Sequence, residues 1–152
     1  MGLALNAPRR QAREAALRIL YFWEIGQTEP QQAIDAYFRE HAPDAAPAVV
    51  EFATAIVLGT VQEIEQIDAL IQRHAQHWRL ERLAVIDRLI LRLSAWELLH
   101  RGDTPAAVVL NEAIELARRF STDESARFVN GVLDAMLKAI EAGGVSQPRD
   151  FQ

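Results

Sequence analysis

Residues 83–99, LAVIDRLILRLSAWELL, decide the fold class. Ile86, Leu89, Ile90, Leu93 and Trp96 recur at spacings of three and four, the period of an α-helix. A strand alternates its faces every second residue and would scatter these side chains over both. The stretch predicts an amphipathic helix with this set as its core stripe and Gly102 as its end. The same period returns on either side. Thr104-Pro105 has the order of a cap followed by proline in the first turn, and Val109, Ala113, Leu116 and Phe120 mark the helix it opens. The string STDE at 121–124 has the pattern of a capping box, with Ser121 as cap and Glu124 reaching back. It introduces a last helix with Val129, Leu133, Met136 and Ile140 on one face.

Toward the N-terminus a long helical pattern runs from about 48 to 75 through Phe52, Ile56, Leu58, Ile64, Ile67 and Ile71, and Gly59 is placed to bend or break it. The connection HAPDAAPAVV precedes it, where Asp44 between Pro43 and Pro47 is available as a cap. Glu29-Pro30 opens a shorter helix through Ile34, Tyr37 and Phe38. The first helix is expected to hold Pro8 in its first turn, to bury Ala16, Leu17, Leu20 and Trp23, and to stop at Gly26. No alternating pattern exceeds four residues and no repeat has a fixed period. The fold is therefore expected to be all-α, a single domain of six or seven helices over residues 1–142, with GGVSQPRDFQ at 143–152 as a flexible tail.

Composition narrows the function. The chain has 152 residues, half of them hydrophobic and 24% charged, which suits one globular domain with a sizeable core. It has no cysteine. Disulfides, thiol catalysis and cysteine metal sites are excluded, and a reducing compartment fits. No apolar run approaches the roughly 18 residues of a membrane span. MGLALNAPRR is too short and polar for a signal peptide, so the expected location is cytoplasmic. No G-x-S-x-G, Walker or dinucleotide glycine motif occurs. His74 and His77 lack a third ligand and a HExxH context, and His41 and His100 are isolated. The expectation is a protein without catalysis, metal or cofactor.

Charge is unevenly distributed within a net of −5. Residues 1–20 carry a net of +3, residues 21–70 a net of −8, and residues 71–152 are balanced. The positive segment contains RRQAREAALRIL, residues 9–20. On a helix Arg9, Arg10 and Arg13 lie at about 0°, 100° and 40° and fan over one arc. Such a fan is either a solvated face or a phosphate-binding one, since the guanidinium fork donates bidentate hydrogen bonds and stacks on bases. Cations at a helix N-terminus oppose the macrodipole, at roughly 0.3–1 kcal/mol each, which favours a partner of negative charge. Phe128, beside Arg127 and about 100° off the centre of the last apolar stripe, is either rim packing or a platform for an unpaired base.

Three segments carry a family resemblance: RRQAREAALRILYFWE, LERLAVIDRLILRLSAWELLHRGDTPAAVVLNEAIELARRF and DESARFVNGVLDAML. In order, they resemble the motifs of the NusB transcription antitermination family and span nearly half the chain. The resemblance implies two small packed helical bundles and no catalysis. It implies a boxA-like RNA ligand, the small-subunit ribosomal protein NusE as partner, and indirect action on the RNA polymerase elongation complex, with no membrane. It assigns RNA contact to Arg9, Arg10, Arg13, Arg82, Glu124, Arg127 and Phe128, and NusE contact to Tyr21, Glu81 and Asp87. Gln11 stands where the family often has arginine. Two other readings remain, a NusB-like module serving rRNA modification and a protein-binding scaffold that forms a homodimer.

Overall fold

The computed structural model describes residues 2–100, 102 and 104–143. Among them are seven α-helices, one 3-10 turn and no strand. The chain divides into two compact units, Met1–Gln62 and Glu63–Gln152. The expected tail lies outside the described residues except for Gly143.

The first unit holds α1 (Gly2–Gly26), α2 (Pro30–His41) and α3 (Pro47–Gln62), each in contact with the other two. Ala12, Ala16 and Leu20 recur every four residues along α1 and are at most 1% exposed. Alanine at two of these positions allows close approach, and Ile34, Ala53 and Ile56 are buried on α2 and α3. Three expectations are corrected in this unit. Pro8 lies inside α1, two turns beyond its start, instead of in its first turn. Arg9, Arg10 and Arg13 are therefore remote from the helix end, and the macrodipole argument, which acts within one turn, does not apply to them. Asp44 is not the cap of α3, because the helix begins three residues later with Pro47 in its first position. The break in the long 48–75 pattern falls at Glu63 and not at Gly59, which stays within α3.

The second unit holds α4 (Ile64–His74), a 3-10 turn (Leu80–Arg82), α5 (Val85–His100), α6 (Ala106–Phe120) and α7 (Asp123–Glu141). Helix α5 is in contact with α4, α6 and α7. It is consequently buried almost all round, Leu91, Ala95, Leu98 and Leu99 as deeply as the expected stripe of Leu89, Ile90 and Leu93. The amphipathic reading is thus corrected: this is a central helix, and Ile86 and Trp96 are its half-exposed members. Two of its polar residues reach partners on or beside α4. Arg92 donates two hydrogen bonds to Asp68, 2.8 Å from Nε and 2.9 Å from Nη2. His100 stacks on Trp96 and lies 2.8 Å from the Glu63 carboxylate. Gly102 adopts φ +58°, the left-handed geometry that ends a helix with least strain on glycine.

Two caps also differ from expectation. Pro105, not Thr104, is the N-cap of α6, and its carbonyl accepts from the amide of Val109 at 3.3 Å. Thr122, not Ser121, caps α7: its Oγ1 accepts from the amide of Ser125 at 2.9 Å. Ser121 is the C-cap of α6, so the two helices share this short joint. The buried face of α7 is the one expected, Val129, Leu133, Met136 and Ile140, with Ala126 and Val132 added.

Candidate nucleic-acid interface

In the second unit the start of α5, the start of α7 and the segment after α4 meet around a cavity of about 240 Å³. Its lining includes Trp78, Arg82, Asp87, Glu124, Ser125 and Phe128. Each reaches it by a local device. After α4 the chain runs through a loop organised by one side chain, Gln72. Its Nε2 donates to the carbonyl of Trp78 at 2.7 Å and, more weakly, to that of Ala75 at 3.3 Å. Its Oε1 accepts from the amide of Leu80 at 2.9 Å. Buried Leu80 then anchors the 3-10 turn, leaving Glu81 and Arg82 exposed. The loop thus presents Trp78, 57% exposed, at the cavity edge.

Opposite, Glu124 and Phe128 stand four residues apart on α7 and share one side of it. The rings of Phe128 and Trp78 meet edge to face, with centroids 6.3 Å apart and planes at 77°. The floor is a hydroxyl relay. Ser121 and Thr122 both donate to Ser125 Oγ, at 2.9 and 3.0 Å, and Ser125 Oγ donates to Asp87 Oδ2 at 2.8 Å. Asp87 is 9% exposed, and its Oδ1 is buried without a hydrogen-bond partner. A buried acceptor costs about 1–3 kcal/mol unless a water or a ligand supplies the donor.

The cavity brings together Arg82, Glu124 and Phe128, which the resemblance had assigned to RNA. It adds Asp87, which the resemblance had placed on the NusE side, and Trp78, which sequence reading missed. Trp78 has one local signal: it is an isolated aromatic in the polar run HAQHWRLER, with no apolar stripe to join. Arg127 is exposed on α7 outside the lining. Glu81 lies in the 3-10 turn before α5, so it and Asp87 share no helix.

The first unit carries the other candidates. Arg9 and Arg13 both lie over the ring of Phe52 on α3, 5.4 and 5.5 Å from its centroid. Arg13 is only 3% exposed, Arg9 is half-buried and Arg10 is exposed. The predicted fan is therefore graded in depth. Tyr21 is 38% exposed and meets Phe22 edge to face.

Chemically the cavity suits recognition. It offers two aromatic rings, one guanidinium and two carboxylates, and the Ser125 hydroxyl is already engaged with Asp87. Among the described residues no group of three or more metal-ligating side chains occurs, and His74 Nδ1 is bonded to the Leu70 carbonyl at 3.0 Å. No described helix is by itself long and apolar enough to cross a membrane.

Comparison with known proteins agrees with this architecture. The model of the NusB family matches residues 10–138. The transcription antitermination protein NusB of Solibacter usitatus is 48% identical over 130 residues, covering 86% of this chain and 88% of that protein. The NusB of Bacillus licheniformis is 44% identical, covering 88% and 98%. Among solved structures, T. maritima NusB superposes with a TM-score of 0.80 at 33% identity, covering 93% of this chain and 94% of that one. A chain from a crystal structure of antitermination factors NusB and NusE in complex with dsRNA gives 0.80 at 28% identity, covering 88% and 98%. Motif order, two-unit helical architecture and these similarities agree: the chain belongs to the NusB family.

Proposed function

We propose that the protein is a transcription antitermination factor that acts in the cytoplasm by binding boxA-type single-stranded RNA together with NusE. In this role it helps RNA polymerase read through terminators, notably in ribosomal RNA operons, and performs no reaction itself. Family membership carries the reading. The related NusB structure with NusE and dsRNA supports RNA and NusE as the partners. The aromatic pair Trp78 and Phe128 favours an unpaired strand, whose bases are free to stack.

Arg9, Arg10, Arg82 and Arg127 serve as phosphate contacts and Phe128 as a stacking platform. Buried Arg13 supports the patch through Phe52. Glu124 accepts from a base. Tyr21 and Glu81, both exposed, are the proposed NusE contacts. Asp87, buried beside Ser125, belongs with the RNA residues in this assignment.

The deciding experiment titrates labelled boxA-like RNA with this protein alone, NusE alone and the mixture. The mixture should bind at least tenfold more tightly than either component, about 1.4 kcal/mol of coupling. Equal affinity for boxA-like and scrambled RNA in all three arms would leave a protein scaffold as the better reading.

A further inference from the structure

We infer that the cavity between α5 and α7 is a slot for one guanine base, stacked at Trp78 and read by the carboxylates of Asp87 and Glu124. This rests on the RNA-binding reading above and specifies which base the protein selects. Three observations carry it. The cavity, about 240 Å³, is smaller than the roughly 300–1,000 Å³ typical of sites for drug-sized ligands, and it suits a single ring system. Trp78 and Phe128 touch edge to face, so no base fits between them, but Trp78 as a residue is 57% exposed and open to a stacking base. Asp87 is nine-tenths buried, lines the cavity and keeps Oδ1 without a partner.

The hydrogen-bonding pattern selects the base. An ionised carboxylate only accepts. Guanine presents two adjacent donors on its Watson–Crick edge, N1–H and the 2-amino group, which match two carboxylate oxygens. Adenine and cytosine offer one amino group beside an unprotonated ring nitrogen that a carboxylate repels. Uracil offers one N–H flanked by two carbonyls and is the poorest match. Arg82, exposed on the same rim, supplies a cation for the adjoining phosphate. The Ser121–Ser125 relay holds Asp87 Oδ2, which fixes the orientation of Oδ1 before the base arrives.

The test uses short fluorescein-labelled oligouridylates in which one central position is U, A, C, G or inosine, the guanine analogue without the 2-amino group. Each is titrated by anisotropy against the protein with NusE present. The G strand should bind roughly tenfold more tightly than the U strand, with inosine between them. In Glu124→Gln, at an exposed site, and in Asp87→Asn, the G-to-U ratio should fall toward one. Trp78→Ala should weaken the G strand by roughly tenfold, with Trp78→Phe restoring most of the loss. Binding of all five strands with equal affinity would overturn the slot and leave the RNA-binding reading standing. So would a preference for G that survives both carboxylate variants. A protein that binds neither these strands nor boxA-like RNA would overturn both.

Discussion

Arg13 illustrates how one residue type serves two ends within a single turn of helix. Arg10 is exposed, whereas Arg13 is buried over the Phe52 ring. A buried guanidinium stacked on an aromatic contributes packing as well as charge. Arg13→Ala is therefore expected to lower stability by roughly 1–3 kcal/mol in urea denaturation. Arg10→Ala should stay within about 0.5 kcal/mol of the parent. Equal midpoints for the two variants would show that Arg13 is not structural. Sequence placed the three arginines on one arc but could not grade their depth. That depth is set by Phe52, which lies on a helix about forty residues further along the chain. Helical angle is a local property and burial is not, so Trp78 was missed for the same reason: its aromatic neighbour Phe128 lies on α7.

At the scale of elements, joints between helices are the informative places. Thr122→Ala removes the side-chain cap of α7 and should cost about 1 kcal/mol, with Ser121→Ala costing less than half as much in the same denaturation series. The reverse order would restore Ser121 as the cap. Gln72 makes a second joint, holding the loop from α4 to the 3-10 turn through Ala75, Trp78 and Leu80. In Gln72→Ala the Leu80 amide should exchange with solvent roughly tenfold faster, as expected for one lost hydrogen bond, while the Ile71 amide within α4 keeps its rate. An unaltered Leu80 rate would mean that the loop is held by other contacts. Helix existence and the apolar face of α7 were legible from period alone. Break points were not. Gly59 is the weaker helix former, yet the chain breaks at Glu63, whose carboxylate pairs with His100 on α5. A long-range contact of this kind leaves no trace in local propensity.

For the whole molecule, the electrostatic pattern matters more than the total. A chain of net charge −5 gains little from non-specific attraction to a nucleic-acid backbone, so binding concentrates where arginines are gathered. Each phosphate neutralised on a single strand adds about 0.7 to the slope of log affinity against log salt. The double variant Arg9→Ala/Arg10→Ala should flatten that slope by up to about 1.4 units, measured by anisotropy with boxA-like RNA and NusE. Because phosphates carry no sequence information, the loss should be equal for matched and scrambled strands. A slope identical to that of the parent would reduce these residues to a solvated helix face. The all-α architecture was readable from the apolar period, which survives without knowledge of neighbours, whereas the two bundles were only what the family resemblance implied. The cavity was not, because it is assembled from segments as far apart as residues 78 and 128.

The hydrogen bond from Ser125 to Asp87 has an evolutionary consequence. The two positions stand 38 residues apart, yet neither is free to vary alone. Replacing the serine by alanine removes the donor that Asp87 Oδ2 holds, and replacing the aspartate by alanine removes the acceptor of the Ser125 proton. Either lineage would begin from a weakened protein, whereas a joint change to an apolar pair would not. A double-mutant cycle on Ser125→Ala and Asp87→Ala should therefore show a coupling of about 1–3 kcal/mol in stability. Strict additivity would mean that the pair can drift independently. Divergence at this corner of the family is thus expected to proceed by paired substitutions, with the base-reading carboxylate and its serine inherited together or lost together.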